Sequence, residues 1–202
     1  MKFSAVLCDL DGVLVDSGDK VEAVWRDWAA AQGLDGDAVA RASHGVPSRE
    51  VIAAVAPHLE AVEEAARVDA LHAETGGEAL PGAAELLERV PRGALAVVTS
   101  CGAELAAARL SAAGLPSPAI LVTADAVRRG KPAPDAYLVA AQALGAEPHA
   151  CVVIEDSPAG VNAGRAAGMT VWAVTTTHDE AELADAGRTA PDLSALLGPL
   201  GL

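Results

Sequence analysis

Five apolar, β-branched runs punctuate the chain, at residues 3–7, 95–98, 120–122, 151–154 and 171–174. None shows the alternation of a strand with one wet face, so each predicts a short strand buried on both sides. Helical patterns over 104–113, 134–144 and 159–167 separate the last four runs. Strand and helix alternating in this way predict an α/β fold: a Rossmann-like parallel sheet of five or more strands with crossover helices on its faces. Gly160, Gly164 and Gly168 recur every four residues, a spacing that lets a helix lie close to the sheet.

The first interval breaks the rhythm. Between residues 16 and 80 no convincing strand pattern occurs, whereas Val21, Val24, Trp25, Trp28 and Ala29 fall on one helical face and 61–73 reads as a second amphipathic helix. The expected organisation is a helical insert over 16–81 within an α/β core of 1–15 and 82–202, with Ser17-Gly18 and Leu80-Pro81-Gly82 as hinges. Trp25 and Trp28 are expected in the core of the insert.

Composition narrows the function. The chain has 202 residues, enough for one domain carrying an insert, and its 51% hydrophobic content comes largely from alanine. No run approaches the ~20 apolar residues of a membrane span, and the apolar start is cut short by Asp9, so neither a membrane nor a secretory signal is expected. The chain reads as cytoplasmic. With 28 acidic against 14 basic side chains the formal charge is −14 and no basic stripe is present, which argues against nucleic acid as a partner. Cys8, Cys101 and Cys151 lack metal or redox spacing; the first and third read as core, and Cys101 as a thiol near the site, open to oxidation.

Candidate chemistry gathers where the predicted strands end. Asp9 and Asp11 flank Leu10 directly after the first apolar run, and side chains at i and i+2 point to one side of a strand. Thr99-Ser100 ends the second, Lys131 lies beyond the third, and Glu155-Asp156 ends the fourth. In an open parallel sheet these are the positions that border the ligand crevice. Two carboxylates ~4 Å apart repel by about 4 kcal/mol at an effective dielectric of 20, so a cluster of four requires either protonation or a cation. Oxygen donors without His or Cys favour Mg²⁺ over zinc or copper. A cation, a lysine and a hydroxyl describe a phosphate pocket, in which one Asp attacks phosphorus and the other gives a proton to the departing oxygen.

These residues resemble the haloacid dehalogenase-like superfamily, in particular members with a helical cap after the first strand. The resemblance rests on Asp9-Leu10-Asp11-Gly12-Val13, Thr99-Ser100, Gly130-Lys131-Pro132 and Glu155-Asp156-Ser157-Pro158-Ala159-Gly160, in order along nearly the whole chain. It implies Asp9 as nucleophile and Mg²⁺ ligand, and Asp11 as acid/base that also binds the metal through its carbonyl. Asp156 is then a further ligand and Glu155 a group in the outer surroundings of the metal. It implies Thr99, Ser100 and Lys131 on the substrate phosphate. Dehalogenases of the superfamily lack the second Asp, so Asp11 speaks for phosphate chemistry.

The insert should set specificity. Ser43-His44-Gly45 to Ser48-Arg49-Glu50 is its most polar, loop-like part, and His44 and Arg49 are its candidate substrate contacts. Val24 to Trp28, Ser43 to Gly45 and Pro81-Gly82-Ala83 are similar to stretches of hexitol, sugar and glycerol phosphate phosphatases, which implies a small phosphorylated metabolite as substrate. The alternative is a β-phosphoglucomutase-type mutase, which Val13 favours. Val21, standing where mutases carry a cap histidine that withholds water, favours a hydrolase. A monomer or homodimer is expected.

Overall fold

A computed structural model describes residues 2–202, with Gly18 and Asp19 described by their backbone alone. The chain enters through β1 (Ala5–Cys8) and a two-residue strand β2 (Val15–Asp16). Four helices follow: α1 (Gly18–Ala31), α2 (Gly36–Ser43), α3 (Ser48–Val55) and α4 (Ala61–Glu74). After β3 (Glu78–Ala79) come α5 (Ala83–Arg89), β4 (Leu95–Val98), α6 (Ala103–Ala112), β5 (Leu121–Val122) and α7 (Asp135–Leu144). The chain ends with β6 (Cys151–Glu155), α8 (Pro158–Ala166), β7 (Thr170–Val174), β8 (Arg188–Ala190) and α9 (Ser194–Leu200).

Six strands form one parallel sheet in the order β5-β4-β1-β6-β7-β8. β1 lies between β4 and β6, and from there the chain winds outward in both directions. This is the topological switch point, where a crevice opens beyond the carboxyl ends of the strands. The two faces of β1 explain its unbroken apolar run. Val6 and Cys8 pack into a cluster with Leu86, Leu110 and Leu196, while Ala5 and Leu7 pack into the opposite one with Tyr137, Ala140 and Val161. Gly164 permits the close approach of α8, since a Cβ there would stand 2.7 Å from Val171. Pro158 at the first turn of α8 and Ser157 Oγ, which accepts from Gly160 N at 3.1 Å, start that helix.

The helices α1 to α4 have a core of their own, in which Trp25, Trp28, Val39, Val51, Ile52 and Val68 are buried. Trp25 and Trp28 meet edge to face, with ring centroids 5.5 Å apart. Two strands in this region depart from the sequence expectation. β2 and β3 pair antiparallel, Val15 with Ala79 and Asp16 with Glu78, so a short ribbon ties together the chain entering and leaving the helices. Both residues of β3 are exposed, which removes the apolar pattern that would have announced it. β8 was likewise not foreseen, because Arg188-Thr189-Ala190 is a sheet edge and carries no apolar run. The first strand starts at Ala5 rather than at residue 3; Phe3 instead stacks edge-on against Trp172, centroids 5.4 Å apart. Among the described residues, no helix is long and apolar enough to cross a membrane.

Candidate active site

At the carboxyl end of β1, β4 and β6 a cavity of about 100 Å³ opens between the sheet and the helical insert. Asp9, Asp11, Thr99, Ser100 and Asp156 line it from the sheet side, and His44 and Gly45 from the insert. Lys131 and Glu155 sit directly beneath. The Lys131 ammonium, 2% exposed, donates to Asp9 Oδ1 at 2.8 Å, to Glu155 Oε1 at 2.6 Å and to Val98 O at 3.3 Å. A buried lysine with two carboxylates is worth keeping only where its position matters, because desolvating three charges consumes most of their mutual attraction.

Glu155 is fully engaged. Its Oε1 also accepts from Tyr137 Oη at 2.8 Å, and its Oε2 from Asp156 N at 2.9 Å, Ser157 N at 3.2 Å and Ser157 Oγ at 3.0 Å. Gly160 is required beside it, since any Cβ there would overlap the carboxylate. Asp156, by contrast, is met by Thr177 Oγ1 at Oδ2. One carboxylate oxygen each of Asp9, Glu155 and Asp156 lies within 4.8 Å of the others, all three residues being buried.

The electrostatics follow from that crowding. Burial, then the neighbouring Glu155, raise Asp9 to about 6 in spite of Lys131. Burial, Glu155 and Asp9 push Asp156 well above the carboxylate range. Burial also opposes the charge on Glu155 and on Lys131, but their ion pairing prevails: the Glu155 carboxyl is lowered and the Lys131 ammonium raised. One lysine for three buried carboxylates leaves negative charge in excess, and an oxygen-only donor set of this kind fits a hard divalent cation. Asp9 and Asp156 have oxygens to offer such an ion; Glu155 has none to spare and holds Lys131 and the β6–α8 turn instead.

Thr99 Oγ1 accepts from Cys101 N at 3.0 Å, which leaves its own proton free for a ligand. Ser100 Oγ donates to Gly45 O at 2.7 Å and so joins the sheet edge to the insert. Asp11 has three partners: Ser17 Oγ at 2.6 Å, Cys101 Sγ at 3.1 Å and the Arg109 guanidinium. Burial pushes the Cys101 thiol up to about 12, so it stands as a thiol donor to Asp11. His44 Nδ1 lies 3.4 Å from His178 Nε2, a second bridge between insert and sheet, while His44 Nε2 lies 3.2 Å from Glu22 Oε1 of α1 within the insert. Arg49 does not border this cavity. Its Nη2 donates to Val127 O at 3.2 Å, and it faces a separate groove with Arg128 and Arg129.

Several participants were not singled out in the sequence. Tyr137 is the one tyrosine of the chain, set in an apolar helix. Arg109 interrupts an alanine-rich helix. Both are polar groups on buried faces, and no spacing links them to the strand-end residues. Thr177 and His178 follow β7, a strand whose apolar run is followed by no acidic or basic side chain at once.

A model of the haloacid dehalogenase-like hydrolases matches residues 3–168. The chain belongs to this family. Hexitol phosphatase A of Escherichia coli (strain K12) is 44% identical over 190 residues, covering 91% of this chain and 88% of that protein. Validoxylamine A 7'-phosphate phosphatase of Streptomyces hygroscopicus subsp. limoneus is 36% identical over 207 residues, covering 98% and 97%. Among solved structures, a hydrolase from Pseudomonas syringae superposes with a TM-score of 0.85 at 29% identity, over 98% of each chain. The hydrolase described here is a phosphatase, and its parallel sheet and surrounding helices are those of the family.

Proposed function

We propose that this phosphatase hydrolyses the monophosphate of a small sugar or polyol in two steps, with Mg²⁺ as cofactor. The observation that carries the proposal is the buried group of Asp9, Asp156, Glu155 and Lys131 opening onto a cavity that also holds Asp11 and Thr99. A bound Mg²⁺, held by Asp9 and Asp156, would offset the excess carboxylate charge and the charge of the phosphoryl oxygens.

Asp9 attacks phosphorus in line, the bond to the ester oxygen breaks, and an aspartyl phosphate forms as the alcohol leaves. Asp11 gives that alcohol its proton, and in the second step takes one from the attacking water as the acyl phosphate is cleaved to inorganic phosphate. To do so Asp11 exchanges the Cys101 thiol at Oδ2 for the reacting oxygen, while its Oδ1 stays with Ser17 and Arg109. Lys131 keeps Asp9 aimed and balances charge on the transferring group, while the Thr99 hydroxyl donates to it. The relative named as a hexitol phosphatase supports a polyol leaving group.

Hydrolysis rather than transfer to a second substrate is supported by two residues. Val21 lines the cavity and has no proton-bearing group with which to restrain water. Val13, the residue that favoured the mutase alternative, is 1% exposed within the sheet core, so packing accounts for its identity. A panel of phosphate esters with and without EDTA tests the proposal. Mg²⁺-restored phosphate release is expected, with polyol and sugar monophosphates preferred; release that is indifferent to EDTA contradicts it.

A further inference from the structure

Among the described residues, only two buried side-chain polar atoms lack a hydrogen-bond partner: His72 Nε2 and Arg109 Nε. Both side chains line the cavity of the active site, and they reach it from opposite sides. His72 is on α4 of the insert and Arg109 on α6 of the sheet layer, and the two helices pack together. They are 3% and 2% exposed. Buried donors and acceptors are nearly always satisfied, and two exceptions bordering one cavity mark a partner that the protein itself does not supply.

The rest of the lining says what that partner is. The hydroxyls of Ser17, Ser43 and Ser48 are already committed, to Asp11, Ala40 O and Asp69. Val21, Trp25 and Leu105 add apolar surface, with Trp25 edge-on to His72 at 5.8 Å. A chain of C–H and O–H groups matches such a mixture. A hydroxyl accepts from the Arg109 Nε–H and can either donate to or accept from an imidazole nitrogen.

A second anionic group finds no free cation there. The guanidinium charge is met by Asp11, Asp69 lies 4.0 Å from His72, and burial lowers His72 to about 4, so the ring is neutral near pH 7. We infer that His72 and Arg109 form the hydroxyl-recognition subsite for an uncharged polyol leaving group. The enzyme therefore selects polyol monophosphates over alkyl phosphates, which lack the hydroxyls, and over polyol bisphosphates, which bring a second charge. This rests on the phosphatase reading and adds the residues that choose the substrate.

The test compares kcat/KM for glycerol 1-phosphate, propyl phosphate and p-nitrophenyl phosphate in the wild type, His72→Phe and His72→Gln. In the wild type glycerol 1-phosphate is expected to exceed propyl phosphate by about 100-fold or more, because a missing hydroxyl leaves both protein groups unmet. His72→Phe should shrink that ratio at least tenfold, and His72→Gln, which restores an amide near the imidazole nitrogen, should recover part of it. A wild-type ratio within threefold of unity overturns the subsite, as does an equal loss on all three esters in His72→Phe. Should His72→Phe fail to fold, the wild-type ratio decides. Absence of phosphate release from every ester, p-nitrophenyl phosphate included, instead removes the phosphatase reading and the subsite with it.

Discussion

Lys131 has two buried carboxylates and one carbonyl on a single ammonium, and it is the cation hydrogen-bonded to Asp9 among the described residues. Lys131→Met should therefore cost far more than a lost surface pair, about 3–5 kcal/mol, since Asp9 and Glu155 would remain buried and uncompensated. Urea unfolding of the metal-free protein measures this, and a loss below about 1 kcal/mol would contradict the arrangement. His72 gives a separable signature. Its folded pKa, about 4, lies below the ordinary 6.5, so between these values the unfolded chain binds more protons and stability must fall as pH falls. Stability is fully present above pH 6.5, and the part lost by pH 4 is at most about 3 kcal/mol. The difference in unfolding free energy between wild type and His72→Gln should accordingly narrow or reverse across that window; a constant difference would argue against a neutral buried ring.

At the scale of elements, the strand-end motifs were legible because each polar residue follows an unbroken apolar run, and in a parallel sheet those ends share one edge. Asp9, Thr99 and Asp156 could be read that way, and Lys131, further along the chain after β5, by the cluster it would complete. Arg109, Tyr137 and His72 could not, because one polar residue on a buried helix face gives the same pattern as an amphipathic helix with an imperfect stripe. The seating of the insert was also beyond the sequence. The loop between α2 and α3 meets the sheet edge at Gly45, whose φ is +71° and where a Cβ would stand 2.5 Å from Ser157 Oγ. Ser100 is bonded to the carbonyl of the same residue. Gly45→Ala should disturb both contacts and lower kcat/KM at least about tenfold, because the insert then sits less closely over the site, while the unfolding transition shifts modestly. Undiminished turnover would mean that the loop does not seat the insert over the site.

For the whole molecule, a parallel sheet with a switch point at β1 supplies the crevice and the four helices over it supply a roof. Both were foreseeable from strand–helix alternation and from its interruption after the first strand. The ribbon of β2 and β3 that joins them was not, since two exposed residues carry no pattern. On the proposed function, the carboxylates at the cavity bind Mg²⁺ in the folded state and not in the unfolded chain. Saturating Mg²⁺ should therefore raise the melting temperature by about 5 °C or more, and Asp156→Asn should abolish most of that rise. An equal shift in the variant would place the ion elsewhere.

Asp9 as nucleophile is the step on which the proposed hydrolysis depends. Phosphate release from a polyol monophosphate by folded Asp9→Asn, with Mg²⁺ present, tests it most directly. The amide keeps the size of the carboxylate and removes its nucleophilicity, so turnover should fall by about 10³-fold or more against wild type. Release at a rate near that of the wild type would contradict it.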